Sequence, residues 1–160
     1  MDPTISESLN NFAAFTSINN ADSFTELMEN GELSSFHWII NHHASIGNLV
    51  LFYFDLPISA IIATAQVSKI PTLVSESESE WFGRYAAEMS KFTLLAEPIS
   101  QQDLIKFLPE WVYWKKPLNS VPVPGRFLKI IDDLLFHRRL IGEISISSKT
   151  NSEPLMKALL

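Results

Sequence analysis

Between residues 49 and 67 the chain carries two long apolar runs separated by a short break. Leu49-Val50-Leu51-Phe52-Tyr53-Phe54 has no polar position, so it predicts a strand buried on both faces. Gly47-Asn48 is a turn ahead of it, and Asp55-Leu56-Pro57 ends it. Residues 60–67 predict a second strand, antiparallel to the first across a short connection. Phe36-His37-Trp38-Ile39-Ile40 is a shorter aromatic and β-branched run, read as a strand that leads into a loop.

Helical signals flank these strands. Residues 23–28 predict a short helix with Ser23 as cap, Glu26 as its capping-box partner and Gly31 as terminator. Ile70-Pro71 leaves the sheet, and residues 75–80 form a polar acidic loop. The stretch from Trp81 to Leu95 pulls both ways. Trp81, Tyr85 and Met89 have helical spacing, whereas Phe92 and Leu94 alternate; a turn about Gly83 and a long strand ending near Leu95 is the reading taken. Pro98-Ile99-Ser100 stops that strand, and Ser100 caps a helix over residues 101–107. The aromatic–basic run at 109–116 precedes Pro117, Pro122 and Pro124 and predicts an extended loop. Apolar positions 127, 128, 130, 131, 134 and 135 make residues 126–136 an amphipathic helix. Leu140, Ile141, Ile144 and Ile146 suggest a final strand within 138–148. Residues 1–22 read as a weakly ordered leader and 149–160 as a tail, leaving one domain over 23–148. Locally paired strands mixed with short helices give a small α+β fold or a partly closed barrel.

Composition agrees with a folded domain: of 160 residues, 46% are hydrophobic and 19% charged, enough apolar content for a real core. The absence of cysteine excludes a disulfide scaffold, a thiolate zinc site and a cysteine nucleophile. There is no basic region followed by an apolar one at the start, and no apolar stretch of membrane-spanning length, so a cytoplasmic protein with no membrane partner is expected. The net charge of −6 disfavours a protein that coats nucleic acid through bulk positive charge. That charge is unevenly divided. Residues 1–80 hold one base and ten acids, a balance of −9, while residues 81–160 hold eleven bases and eight acids, a balance of +3. A locally basic face is compatible with such a division.

No catalytic constellation emerges. A nucleophile elbow, a Gly-rich phosphate loop and a helical metalloprotease motif are all missing, and the five glycines are scattered. His37, His42 and His43 cluster without a carboxylate at ligand spacing, and adjacent histidines diverge on a regular backbone, so they read as a polar turn. Neither a metal nor a cofactor is expected. The aromatics carry more information. Trp38, Trp81, Trp111 and Trp114 lie at element edges or in loops, where an indole is either a core flap or part of a ligand wall. Trp38 with Asn41, and Trp114 with Asn119 and Ser120, supply the mixture of flat faces and hydrogen-bonding groups that a nucleobase needs.

In order and spacing these features resemble EVE-type domains of the PUA-like superfamily, relatives of the YTH and ASCH domains. The matching elements are Trp38 ahead of a polar loop, Gly47-Asn48 opening the strand 49–53, the return strand 61–67, Pro71, Trp81 and Arg84, the 98–104 segment, Pro109-Glu110-Trp111, and Ser120-Val121-Pro122-Val123-Pro124 before the closing helix. Asn48 replaces the usual Asp, and Pro57-Ile58-Ser59-Ala60 replaces a Gly-containing hairpin.

The resemblance implies a pseudo-β-barrel of five or six strands with short flanking helices, and a non-catalytic module that reads a modified nucleobase of DNA or RNA flipped into an aromatic pocket. Trp38, Asn41 and the Ser120 region are carried over as pocket residues; Trp81, Trp114 and Asn119 complete the expected set. Phosphate contacts are expected from Arg84, Lys106, Lys115, Lys116, Arg126, Arg138 and Arg139, with Lys129 on a solvated helix face. A separate nuclease or modification-system protein would be the partner. The alternative is a protein-interaction domain that keeps the fold without the ligand, its pocket filled by residues 57–60. An enzyme acting on nucleotides is a third reading, suggested only by kinship with ASCH domains.

Overall fold

A computed structural model describes residues 13–31 and 35–146, with the backbone alone at 30, 31 and 139–146. Six strands form one strongly curled mixed sheet: β1 (Ala14–Asn19), β2 (Ser35–Ile39), β3 (Leu49–Phe54), β4 (Ala60–Val67), β5 (Thr72–Leu73) and β6 (Tyr85–Ser100). The order is β1-β3-β4-β6-β2, with β5 also on β6. Only β1 and β3 run parallel. Three helices flank the sheet: α1 (Ser23–Gly31), α2 (Gln101–Phe107) and α3 (Leu128–Ile146). Among these described residues no helix is long and apolar enough to cross a membrane.

The run at 49–54 is apolar throughout because both faces of β3 are covered. Val50, Phe52 and Phe54 join a core inside the curl with Phe24, Leu27, Phe36, Trp38, Ile62 and Met89. Leu51 and Tyr53 point the other way, into a second core with Ile61, Leu95, Ile99, Leu104, Trp114, Phe127, Ile131 and Leu135. Helix α1 closes the first core, and α2 and α3 cover the second.

Strand β6 holds the sheet together. Its first half pairs with β2, and β4 pairs along most of its length. Where Ile61 and Ala63 of β4 oppose Ile99 and Leu94, extra β6 residues bulge out, and Pro98 sits in this bulge where no ladder bond is needed. Lys91, at φ 55°, occupies a second irregularity.

Several expectations are corrected. Residues 14–19 are a buried strand, not part of a leader: the β1 backbone pairs with β3 on one side and with the 121–123 segment on the other. Helix α1 is capped by Asn20, whose Oδ1 accepts from both the amide and the hydroxyl of Ser23. The chain rejoins the sheet at β5 after Pro71. Strand β6 runs past Leu95 to Ser100, and Ser100 Oγ then accepts from the Asp103 amide at 3.1 Å, as expected of a cap. The expected final strand is instead the second half of α3, because no breaker stronger than Gly142 interrupts the helix begun at Leu128. Positions 1–12 and 147–160 lie outside the described residues.

Candidate functional site

The two ends of the strand order, β1 and β2, face one another across a seam joined by side chains. Trp38 Nε1 donates to Asn19 Oδ1 at 2.9 Å in the core. Further along, Ser120 Oγ accepts from the Asn41 amide at 3.0 Å, while Asn41 Nδ2 donates to the Ser120 carbonyl at 2.9 Å. The 121–123 segment lies along the outer edge of β1, with Thr16 donating to Val121 and Val123 donating to Ala14. By strand alternation, the peptide groups of Ile18 turn towards the seam, as do those of Ile39, since Ile40 donates to Tyr85 on the β6 side.

Along this seam lie two depressions of about 200 and 210 Å³ that share Ile18, Ile39 and Arg84 as walls. They adjoin at these three residues, and the adjoining pair is called the groove below. One half adds Asn19, Asn20, Trp38, Glu80 and Trp81; the other adds Ser17, Asn41, His42, Tyr85, Asn119 and Ser120. Residues 57–60 line neither half.

The two indoles of the first half have different surroundings. Trp38 is 1% exposed. Trp81 is half-buried, packs on the first core and meets Trp38 edge to face, with centroids 5.2 Å apart and planes at 71°. Of these two indoles, Trp81 is the one that keeps accessible surface at the groove. In the other half Asn41 is committed within the protein: besides its two bonds to Ser120, its Oδ1 accepts from the His43 amide at 2.8 Å. Asn41 is therefore a clasp. On the groove, Arg84 and Glu80 form no ion pair among the described residues.

Of the expected pocket set, Trp38, Asn41, Trp81, Asn119 and Ser120 come together at the groove. Trp114 does not: its ring is fully buried in the second core against Tyr53, because the 3-10 turn Val112–Lys115 folds it inward. Of the expected phosphate contacts, Arg84 lines the groove, and Lys106, Lys115, Lys116 and Arg126 are exposed elsewhere. Arg138 is drawn into the protein, 3.3 Å from Asp103 and 3.9 Å from Glu97, so its charge is already matched. The side chain of Arg139 lies outside the described residues. His42 and His43 do not diverge; in their turn the rings lie 3.9 Å apart, and His42 also packs 5.2 Å from Tyr85.

No family model and no curated protein matches the sequence. Solved structures match it by shape. A structural-genomics protein from Pseudomonas putida has a TM-score of 0.61 at 15% identity, covering 75% of this chain and 98% of that one. The human THYN1 protein, solved in complex with 5-methylcytosine containing DNA, has a TM-score of 0.57 at 11% identity, covering 76% and 96%. The YTH domain of Zygosaccharomyces rouxii MRB1, solved in complex with N6-methyladenosine RNA, has a TM-score of 0.52 at 14% identity, covering 78% and 86%. The chain has the PUA-like fold.

The expected pseudo-barrel of five or six strands with short flanking helices is thus the architecture observed. The groove residues absent from the expected set include Ser17, Ile18, Asn19 and Asn20, all placed in the leader, and also Ile39, His42, Glu80 and Tyr85. Asn19 lacks any distinguishing pattern; its role exists only once β1 lies opposite Trp38. Tyr85 and His42 were visible as an aromatic pair only through the β2–β6 register.

Proposed function

We propose that the groove holds one modified nucleobase of DNA or RNA, unstacked from its neighbours, and that the chain is a non-catalytic binding module for it. Trp81 carries this reading: a half-buried indole on the groove wall, set against a buried second indole, with Arg84 beside it in no ion pair among the described residues. Stacking on an aromatic face is worth about 1–3 kcal/mol, and unstacking a base costs a few kcal/mol. Hydrogen bonds donated by Arg84, accepted by Glu80 and shared with the seam peptides would supply the difference.

A methyl group on the base has Ile18 and Ile39 to pack against. One buried methyl contributes about 0.8 kcal/mol, which is about fourfold in affinity. Two proteins of this fold were solved on methylated nucleic acid, which supports the same ligand class here. Any chemistry on the bound nucleic acid falls to a separate nuclease or modification-system protein.

The test is fluorescence anisotropy with oligonucleotides that carry 5-methylcytosine, 5-hydroxymethylcytosine or N6-methyladenine, each against its unmodified twin. Tighter binding of one modified member is expected. Equal binding of every pair by the wild-type chain would overturn the reading.

A further inference from the structure

Ile18 and Ile39 offer a methyl group apolar surface, but thymine carries its methyl at the same ring position as 5-methylcytosine. Apolar contact alone therefore cannot separate a methylated cytosine from any thymine. The two bases differ only at the hydrogen-bonding edge. At position 4 cytosine has an amino group, with an acceptor at N3 beside it; thymine has a carbonyl there, with an N–H beside it.

In the half of the groove that holds Trp38 and Trp81, most polar side chains are already committed. Asn19 Oδ1 accepts from Trp38, and its Nδ2 donates to the Ser17 and Tyr53 carbonyls. Asn20 Oδ1 accepts from the amide and the hydroxyl of Ser23. Glu80 differs: it lines this half, is exposed, and enters no ion pair among the described residues. Its carboxylate accepts and does not donate, whereas Arg84, which also lines this half, donates and does not accept. The turn that carries Glu80 is tied on both sides. The Trp81 amide donates to Ser79 Oγ at 3.1 Å, and the Arg84 amide to the Trp81 carbonyl at 2.9 Å. The acceptor and the accessible indole are thus consecutive residues of one turn.

We infer that Glu80 sets the class of base the groove takes: one with an exocyclic amino group, to the exclusion of thymine. The inference rests on the groove being a base site. An amino group gives the carboxylate a donor, and the ring nitrogen beside it gives Arg84 an acceptor. Thymine offers only its N3–H, set between two carbonyls whose lone pairs a carboxylate repels. Selection then comes from an unfavourable contact with the wrong base as much as from a favourable one with the right base.

The experiment measures anisotropy with single-stranded DNAs identical except at one central base: cytosine, 5-methylcytosine, adenine, N6-methyladenine or thymine. Single strands keep base-pairing energy out of the comparison. The proteins are the wild type, Glu80→Gln and Trp81→Ala, each checked by thermal melting. The wild type is expected to bind its preferred methylated strand about tenfold more tightly than the thymine strand. Glu80→Gln keeps the size of the side chain and adds a donor for the thymine carbonyl. Its ratio is expected to collapse, through tighter binding of thymine as well as weaker binding of the methylated strand. Trp81→Ala is expected to weaken both strands and keep their ratio. A wild type that binds 5-methylcytosine and thymine equally, and both more tightly than cytosine, overturns the inference and leaves the groove reading standing. A Glu80→Gln variant with the wild-type ratio also overturns it. A wild type that binds each methylated strand no more tightly than its unmethylated twin removes the groove reading and this inference together.

Discussion

Trp38 Nε1 donates to Asn19 Oδ1 at 2.9 Å, joining the first and last strands of the sheet order inside the core. Asn19→Ala leaves the indole N–H buried without this partner, an arrangement that costs about 1–3 kcal/mol. Thermal melting should fall by about 2–4 °C for each kcal/mol in a chain of this size. In a Trp38→Phe background no N–H needs the acceptor, so the same Asn19→Ala change should cost less. Strictly additive losses in this double-mutant cycle would contradict direct coupling.

Trp81 and Trp38 separate binding from stability. Trp38→Ala removes a fully buried ring and should cost about 3–5 kcal/mol in urea unfolding. Trp81→Ala acts at the rim, so its main effect should be a loss of about 1–3 kcal/mol in affinity for the preferred oligonucleotide. Unchanged affinity for Trp81→Ala, in a variant with a normal melt, would remove the stacking role.

Arg138 should behave as a structural residue. It bridges α3 to Asp103 of α2 and Glu97 of β6, and both carboxylates are substantially exposed. Solvent screening limits the expected cost of Arg138→Ala to about 1 kcal/mol. Oligonucleotide affinity and its salt slope should not change, in contrast to Lys115→Ala and Lys116→Ala. A shallower slope for Arg138→Ala would restore it to the phosphate-binding set.

Two tyrosines set an alkaline limit on stability. Burial pushes the Tyr113 phenol up to about 12, against the lowering effect of its hydrogen bond to Thr16. Tyr53 is also raised, by burial and by the Asp55 charge. The unfolded chain releases these protons near the ordinary value of 10, whereas the folded chain retains them. The associated stability is therefore complete below pH 10 and is lost as pH rises towards 12. Urea midpoints should decline across that window. Tyr113→Phe should flatten part of the decline and cost about 1 kcal/mol at neutral pH, through lost bonds to Thr16 and Asn119.

What was legible in the sequence follows from what each element buries. β3 and β4 announce themselves because large apolar side chains fill both of their faces. β1 is hidden because its buried positions include Ala14, Thr16, Ser17 and Asn19, whose value lies in pairing rather than in hydrophobicity. The second half of α3 was misread because Ile144 and Ile146 alternate as a strand would, while the helix simply continued through them. Trp38 and Trp81 were identifiable as a pair of interest, but which indole is accessible depends on the fold. Asn41 looked like a reading group because its side-chain amide is polar, but that amide makes two internal hydrogen bonds, and its backbone N–H makes a third.

β1 is made early in synthesis and completed late. Its Thr16 amide finds its partner on Val121, 105 residues downstream, and Val123 must arrive to reach Ala14. During translation the outer edge of the first strand therefore has no cover until most of the chain has left the ribosome. Long-range pairing of this kind slows folding and leaves strand edges open to misassociation. Chains halted before residue 121 should engage chaperones more than chains that also carry the 121–123 segment and α3.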